Sequence, residues 1–262
     1  MTVGDALAAS GLEPREARIL LAAATGFSQA AVLAFPERSL SADVAARFAE
    51  FAARRRDGEP VAYILGEQEF YGLRLAVNRA VLIPRPETEL LVDLALEREF
   101  QRAVDLGTGC GAIALAIKHE RPAARVIGVD ASAAALEIAR RNAVRLGLDV
   151  DWRHGRWCEP LGEERYELIV ANPPYVAVGD PHLAALAHEP ARALVAGTDG
   201  LDAIRAIAAQ APRQLEAGGW LLMEHGSGQD APVRDLLERA GLQDVRTWPD
   251  LARIARVSGG RR

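Results

Sequence analysis

Two clusters in this 262-residue chain have the residue types and spacing to do chemistry. One is Asn172-Pro173-Pro174-Tyr175, directly after "YELIV", which reads as a buried strand. Two prolines there can be a plain strand-ending turn. Equally, proline fixes the chain and offers a carbonyl without a competing N–H. The other cluster is "AVDLGTGCGAIALA", which places Gly107, Gly109 and Gly111 at a turn between a strand and a helix. Glycines there let the backbone approach a ligand, and the helix start presents free N–H groups. Asp130 closes the next strand, where a carboxylate can accept hydrogen bonds from both hydroxyls of a ribose. Together these features predict an adenosine-containing ligand.

The loop alone leaves two cofactors open. Gly107-x-Gly109-x-x-Ala112 satisfies the dinucleotide fingerprint. Asp105, two residues before the first glycine, is instead similar to the glycine loop of S-adenosylmethionine-dependent methyltransferases.

Regular strand–helix alternation positions these residues. From about residue 100 the strands "RAVDL", "RVIGVD", "VDWRHG", "YELIVAN" and "GWLLMEHG" alternate with helical stretches, and a final pair lies near "DVRTWPD" and "RIARVSG". That rhythm argues a doubly wound α/β sheet, in which ligands bind beyond the carboxyl ends of the strands. Residues 1–66 read as helical: Ala17, Leu20, Leu21 and Ala24 share one face, with Pro14 in the first turn and Gly26 as C-terminal cap. A second helix starts at Ser41 and aligns Val44, Phe48 and Phe51. Its Arg54-Arg55-Arg56 run suits a helix C-terminus better than an RNA contact. Between the two parts, Leu73, Leu75 and Val77 alternate with other residues, and Asn78-Arg79 offers a turn, predicting a β-hairpin over 67–84.

Composition narrows the class. Half of the residues are hydrophobic and the net charge is −5, the balance of a soluble globular protein and the wrong sign for a partner held mainly through phosphates. The start has no secretory character and no apolar run spans a membrane, so the cytoplasm is the expected compartment. Two cysteines and five histidines show no metal-ligand spacing, and no metal is expected.

"NPPY" after the fourth strand, with "DLGTGCG" and a ribose acid upstream, resembles the methyltransferases that modify planar nitrogens of adenine, cytosine or glutamine. The upstream "EPVAYILGEQEFYGLRLAVNRAVLIPRPETELLV" narrows the likeness to the release-factor glutamine methyltransferase family (HemK/PrmC), with Arg85-Pro86-Glu87-Thr88-Glu89 as its most diagnostic piece. "GRWCEPL" and "EPARALVAGTDGL" extend it over most of the chain. Departures are Arg253, where relatives commonly carry glycine, and N-terminal helices with little recognisable family sequence.

The resemblance implies a seven-stranded, mostly parallel class I methyltransferase domain over 85–262, a helical recognition domain over 1–66 and a hairpin linker over 67–84. It implies transfer of a methyl group from S-adenosylmethionine to N5 of the Gly-Gly-Gln glutamine of class I peptide chain release factors. Gly107, Thr108, Gly109, Cys110 and Gly111 are expected at the methionine end of the cofactor, Asp130 at the ribose, Trp157 at the adenine, and Asn172 beside both cofactor and acceptor. Asn172 and Pro173 are expected to accept the two amide N–H bonds, while Pro174 and Tyr175 pack against the planar group. Arg85, Glu87 and Glu89 either close the site or form surface ion pairs. The chain is expected to act as a monomer without binding nucleic acid or membrane. Competing readings are a ribosomal-protein glutamine methyltransferase, an adenine N6 methyltransferase, a nicotinamide-dependent oxidoreductase and a noncatalytic cofactor-binding module.

Overall fold

A computed structural model describes all 262 residues, which pack as two compact units, Met1–Glu67 and Gln68–Arg262. The first is five helices: α1 (Val3–Ala9), α2 (Pro14–Thr25), α3 (Gln29–Ala34), α4 (Ala42–Arg56) and α5 (Val61–Leu65). Helix α2 forms where the sequence predicts it. Pro14 stands in its first turn, Ala17, Leu20, Leu21 and Ala24 are its buried face, and Gly26 ends it in the left-handed conformation. The side chains of Leu20, Leu21, Val32, Phe48 and Ile64 make this unit's core. All three arginines at the end of α4 are engaged inside the unit: Arg54 with Glu59, Arg55 with Glu16, and Arg56 with the Ser10 carbonyl.

A hairpin follows at the boundary, β1 (Glu67–Phe70) and β2 (Leu73–Ala76), all but its first residue in the second unit. Its turn is Tyr71-Gly72 and not Asn78-Arg79. Both turn residues have positive φ, 51° and 72°, matching the twist a two-residue hairpin needs. Asn78 does turn the chain, its side chain accepting the Ala80 N–H at 2.9 Å, but the residues after it pair with no strand. Then follow α6 (Glu89–Leu96), β3 (Arg102–Leu106), α7 (Ala112–Glu120), β4 (Arg125–Asp130), α8 (Ala133–Leu146), β5 (Asp151–His154), β6 (Tyr166–Ala171), α9 (Asp202–Gln214), β7 (Leu215–Glu224), α10 (Asp230–Arg239), β8 (Gln243–Pro249) and β9 (Ala255–Arg261).

The seven sheet strands are ordered β5-β4-β3-β6-β7-β9-β8, parallel except for β9, which runs antiparallel to both neighbours. Central strands are buried on both faces and so read as continuous apolar runs: Leu168, Ile169, Val170 and Ala171 of β6 have no exposure. The chain builds outward from β3 through β4 to β5, then returns to add β6 on the other side of β3. At that reversal Leu106 pairs with Ala171, so Gly107 and Asn172 leave the sheet side by side. No helix is long and apolar enough to cross a membrane.

Arg253 lies in the β8–β9 turn with φ 63°, a left-handed conformation that favours glycine. The departure noted in the sequence therefore falls where a glycine would relieve strain.

Candidate functional site

Beyond the carboxyl ends of β3, β4 and β6 lies a cavity of about 490 Å³, within the range of small-molecule sites. Gly107, Gly109, Asp130, Trp157, Asn172 and Pro174 line it. The glycine loop is pinned from below: the N–H groups of Gly107 and Thr108 both donate to the Val129 carbonyl, at 2.8 and 2.9 Å. Gly107 has φ 78°, and a β-carbon on it would touch the Trp157 ring at 3.4 Å, so glycine keeps this wall open.

Asp130 accepts the Gly109 N–H at 2.8 Å on one oxygen and the Ser132 N–H at 2.7 Å on the other. A carboxylate offers about four lone-pair sites, so acceptor capacity remains toward the cavity that Asp130 lines. Asp105 is buried beneath the loop, where Oδ2 accepts from the Thr108 hydroxyl at 2.5 Å and from the Ala114 N–H, while Oδ1 has no partner. Burial raises this carboxyl to about 7 despite those hydrogen bonds.

Not every residue expected at the cofactor reaches the wall. Thr108 turns down to Asp105, and Gly111 caps α7 with a left-handed φ of 87°. Cys110 is buried, its carbonyl accepting from the Asn142 amide at 2.9 Å. Desolvation pushes the Cys110 thiol up to about 12. These three shape the loop.

Asn172 Nδ2 donates to the Thr88 hydroxyl at 3.0 Å. Tyr175 is turned away from the cavity and donates to Glu224 Oε1 at 3.2 Å. Burial first, and then the neighbouring Glu224 charge, hold its phenol far above the ordinary range, which leaves it a donor and not a base. Gln229 holds the tetrapeptide's far end: its Oε1 accepts the Gly226 N–H at 2.8 Å and its Nε2 donates to the Tyr175 carbonyl at 3.0 Å. Gly200 abuts the same carbonyl so closely that any β-carbon would collide with it.

The "RPETE" segment divides its tasks. Arg85 pairs with buried Glu189, which also accepts the Ile83 N–H. Glu89 accepts the Tyr71 N–H at 2.8 Å and so braces the hairpin turn. Thr88 meets Asn172. The segment 189–197 crosses to the cavity, and Arg192 donates to the Ser132 hydroxyl at 2.6 Å. Sequence reasoning missed Thr88, Glu189, Arg192, Glu224 and Gln229 as parts of the site. For Glu224 a signal existed: a carboxyl ending the apolar run "WLLM" on a central strand is expected to be buried and to need a partner.

Known proteins place this geometry. Residues 86–240 match the methyltransferase small domain and residues 3–66 the PrmC N-terminal domain. A release factor glutamine methyltransferase from Xylella fastidiosa (strain Temecula1) is 48% identical, with 98% of this chain and 96% of that one covered. One from Pseudomonas aeruginosa is 48% identical over 94% of this chain and 91% of that one. The chain belongs to the release factor glutamine methyltransferase family. It is therefore a methyltransferase, and its large unit has the fold of one. A solved 16S rRNA N2 G1207 methyltransferase of T. thermophilus superposes with a TM-score of 0.54 at 22% identity, covering 75% of this chain and 50% of that one.

The cofactor of this methyltransferase is S-adenosylmethionine, and the residues lining the cavity fit it. Asp130 retains acceptor sites for a ribose, and Asp105 Oδ1 is an unsatisfied buried acceptor below the glycine loop. The Trp157 ring provides a flat apolar wall, and its own Nε1 is buried without a partner.

Proposed function

We propose that this chain methylates N5 of the glutamine in the Gly-Gly-Gln loop of class I peptide chain release factors, with S-adenosylmethionine as donor. The observation that carries the reading is Asn172 in the wall of the same cavity as Gly107, Gly109, Asp130 and Trp157. This supports a hydrogen-bonding amide acting beside the methyl donor. Bound there, the cofactor supplies a methyl group already activated by its sulfonium charge.

The chain's task is to make a poor nucleophile react. A primary amide nitrogen shares its lone pair with the carbonyl, and rotation about such a bond costs about 18–20 kcal/mol. Asn172 Oδ1 and the Pro173 carbonyl each accept one N–H of the incoming amide and aim its lone pair at the methyl carbon. Each such hydrogen bond contributes about 1 kcal/mol net and about 1.5–3 kcal/mol as charge develops, so orientation supplies much of the remainder. With the donor bound, its methyl group would pass to that nitrogen, the electron pair of the broken carbon–sulfur bond would stay on sulfur, and the surplus amide proton would leave to water. Pro174, in the cavity wall, keeps the planar group dry.

Residues 1–66 dock the release factor, and the enzyme works as a monomer in the cytoplasm without holding nucleic acid or membrane. The match of residues 3–66 to the PrmC N-terminal domain supports the docking role. The test is mass spectrometry of a purified release factor after incubation with enzyme and S-adenosylmethionine. A gain of one methyl group on the Gly-Gly-Gln glutamine is expected. An unmodified glutamine beside a methylated ribosomal protein or nucleic acid would overturn the reading.

A further inference from the structure

Glu224 ends β7 only 1% exposed, in the middle of the sheet's working edge. Its Oε1 accepts from Tyr175, its carboxyl also faces the Thr88 hydroxyl, and its Oε2 has no partner. A buried carboxyl is costly to keep, and neither cofactor binding nor methyl transfer as derived above uses this one.

The side chain that would touch the acceptor is an amide whose two ends are alike in shape and opposite in hydrogen-bonding character. Its orientation is therefore set by its partners. We propose that Thr88 and Glu224 are positioning residues that fix the Asn172 amide with its oxygen toward the acceptor. A carboxylate can only accept, so the Thr88 hydroxyl facing it turns its single proton toward Glu224 and its lone pairs toward Asn172. Asn172 can answer only with Nδ2–H, which is the 3.0 Å contact observed. Its Oδ1 is then the end left for the cavity, where a donating N–H₂ group is to be received. Through Tyr175 the same carboxyl anchors the other end of the tetrapeptide.

The groups acting on Glu224 are Thr88 and Tyr175 as hydrogen-bond donors, Arg256 as a cation and Glu87 as a second carboxyl; burial outweighs them and raises Glu224 to about 7. His225, the next residue, turns its ring to Ser258 and the Gly226 carbonyl instead. Protonation of Glu224 would return a proton to the relay and free Thr88 either to accept from Nδ2 or to donate to Oδ1, so that either end of Asn172 could face it.

This inference rests on Asn172 as the acceptor contact, so its test needs a readout independent of the release factor. Glu224→Gln, Thr88→Val and the conservative Thr88→Ser are compared by kcat and KM on a release factor, by S-adenosylmethionine calorimetry, and by the ¹H–¹⁵N signals of the Asn172 side-chain amide without acceptor. Those signals are assigned by their loss in Asn172→Ala. Glu224→Gln can hand an N–H to Thr88, reverse the relay and turn Asn172 round. It and Thr88→Val are expected to lower kcat by about tenfold to a hundredfold, leave cofactor affinity within about twofold and shift the Asn172 signals, while Thr88→Ser restores both readouts. Wild-type kcat should fall as pH drops through about 7, and the low activity of Glu224→Gln should not follow that profile. Unmoved amide signals in both Glu224→Gln and Thr88→Val, or a parallel loss of cofactor affinity, would overturn the proposal. A wild-type enzyme inactive on release factors would sink the substrate assignment, while the amide signals still decide this one.

Discussion

The two ends of the cavity are built by opposite strategies. The glycine loop is held by its own neighbourhood: Thr108 bonds Asp105 three residues back, and Gly109 bonds Asp130 across 21 residues. The acceptor tetrapeptide converges from afar. Asn172 reaches Thr88 across 84 positions, Tyr175 reaches Glu224 across 49, and Gln229 reaches back across 54 to the Tyr175 carbonyl. A locally held loop can be correct whenever its strand and helix are. An end assembled from several segments is correct only when the whole unit is, so damage far from it in sequence should reach turnover before it reaches cofactor binding.

The largest expected effect separates the two ends cleanly. Asn172→Ala should cut kcat by about 10²–10³-fold with the S-adenosylmethionine Kd nearly unchanged, read by single-turnover kinetics beside calorimetry; an equal loss of affinity would merge the ends. Asp130→Ala should do the reverse, weakening cofactor binding by about 1.5–3 kcal/mol because ribose contacts and two loop N–H partners go together. Gln229→Ala strips partners from the Gly226 N–H and the Tyr175 and Asp199 carbonyls. We expect it to cost about 1–2 kcal/mol of stability and to lower kcat while sparing cofactor affinity, with denaturant melts run beside both assays.

Each end also hides one carboxyl that burial holds at about 7, Asp105 below the loop and Glu224 below the tetrapeptide, against ordinary values of 3.8 and 4.5. Between those ordinary values and about 7 the folded chain keeps protons that the unfolded chain has released, so stability should decline as pH rises through that window and level off above it. Glu224→Gln should accordingly melt no lower than wild type at pH 8, which a thermal scan would show, while its kcat stays about tenfold to a hundredfold below wild type. The smallest effect lies outside both ends. Arg253→Gly removes left-handed strain of about 1–2 kcal/mol but adds about 0.5–1 kcal/mol of unfolded-chain entropy, so a melting point equal to or slightly above wild type is expected.

What could be read beforehand follows the same divide. All seven strands were legible from the strand–helix rhythm, the central ones as apolar runs, and the loop with Asp105 and Asp130 was legible because its parts lie close together in sequence. The hairpin turn was misplaced because Asn78 looks like the stronger turn former, while the actual turn relies on Tyr71 adopting a φ of 51° that its residue type does not advertise. Thr88 and Glu224 were illegible as partners: one sits in a charged segment where arginine and glutamate draw the eye, and the other signals its burial by ending "WLLM" without showing which side chains it meets. Only the start of α6 and the pairing of β6 with β7 bring Thr88 to Asn172 and Glu224 to Tyr175.

Trp157 sits in the cavity wall with a left-handed φ of 50° and its ring against Gly107, alone among the chain's four tryptophans in lining that space. An indole's emission depends on what lies against its face. The protein thus carries a native optical gauge of its own occupancy, and filling or emptying of the cavity can be timed by stopped-flow fluorescence without attaching a dye.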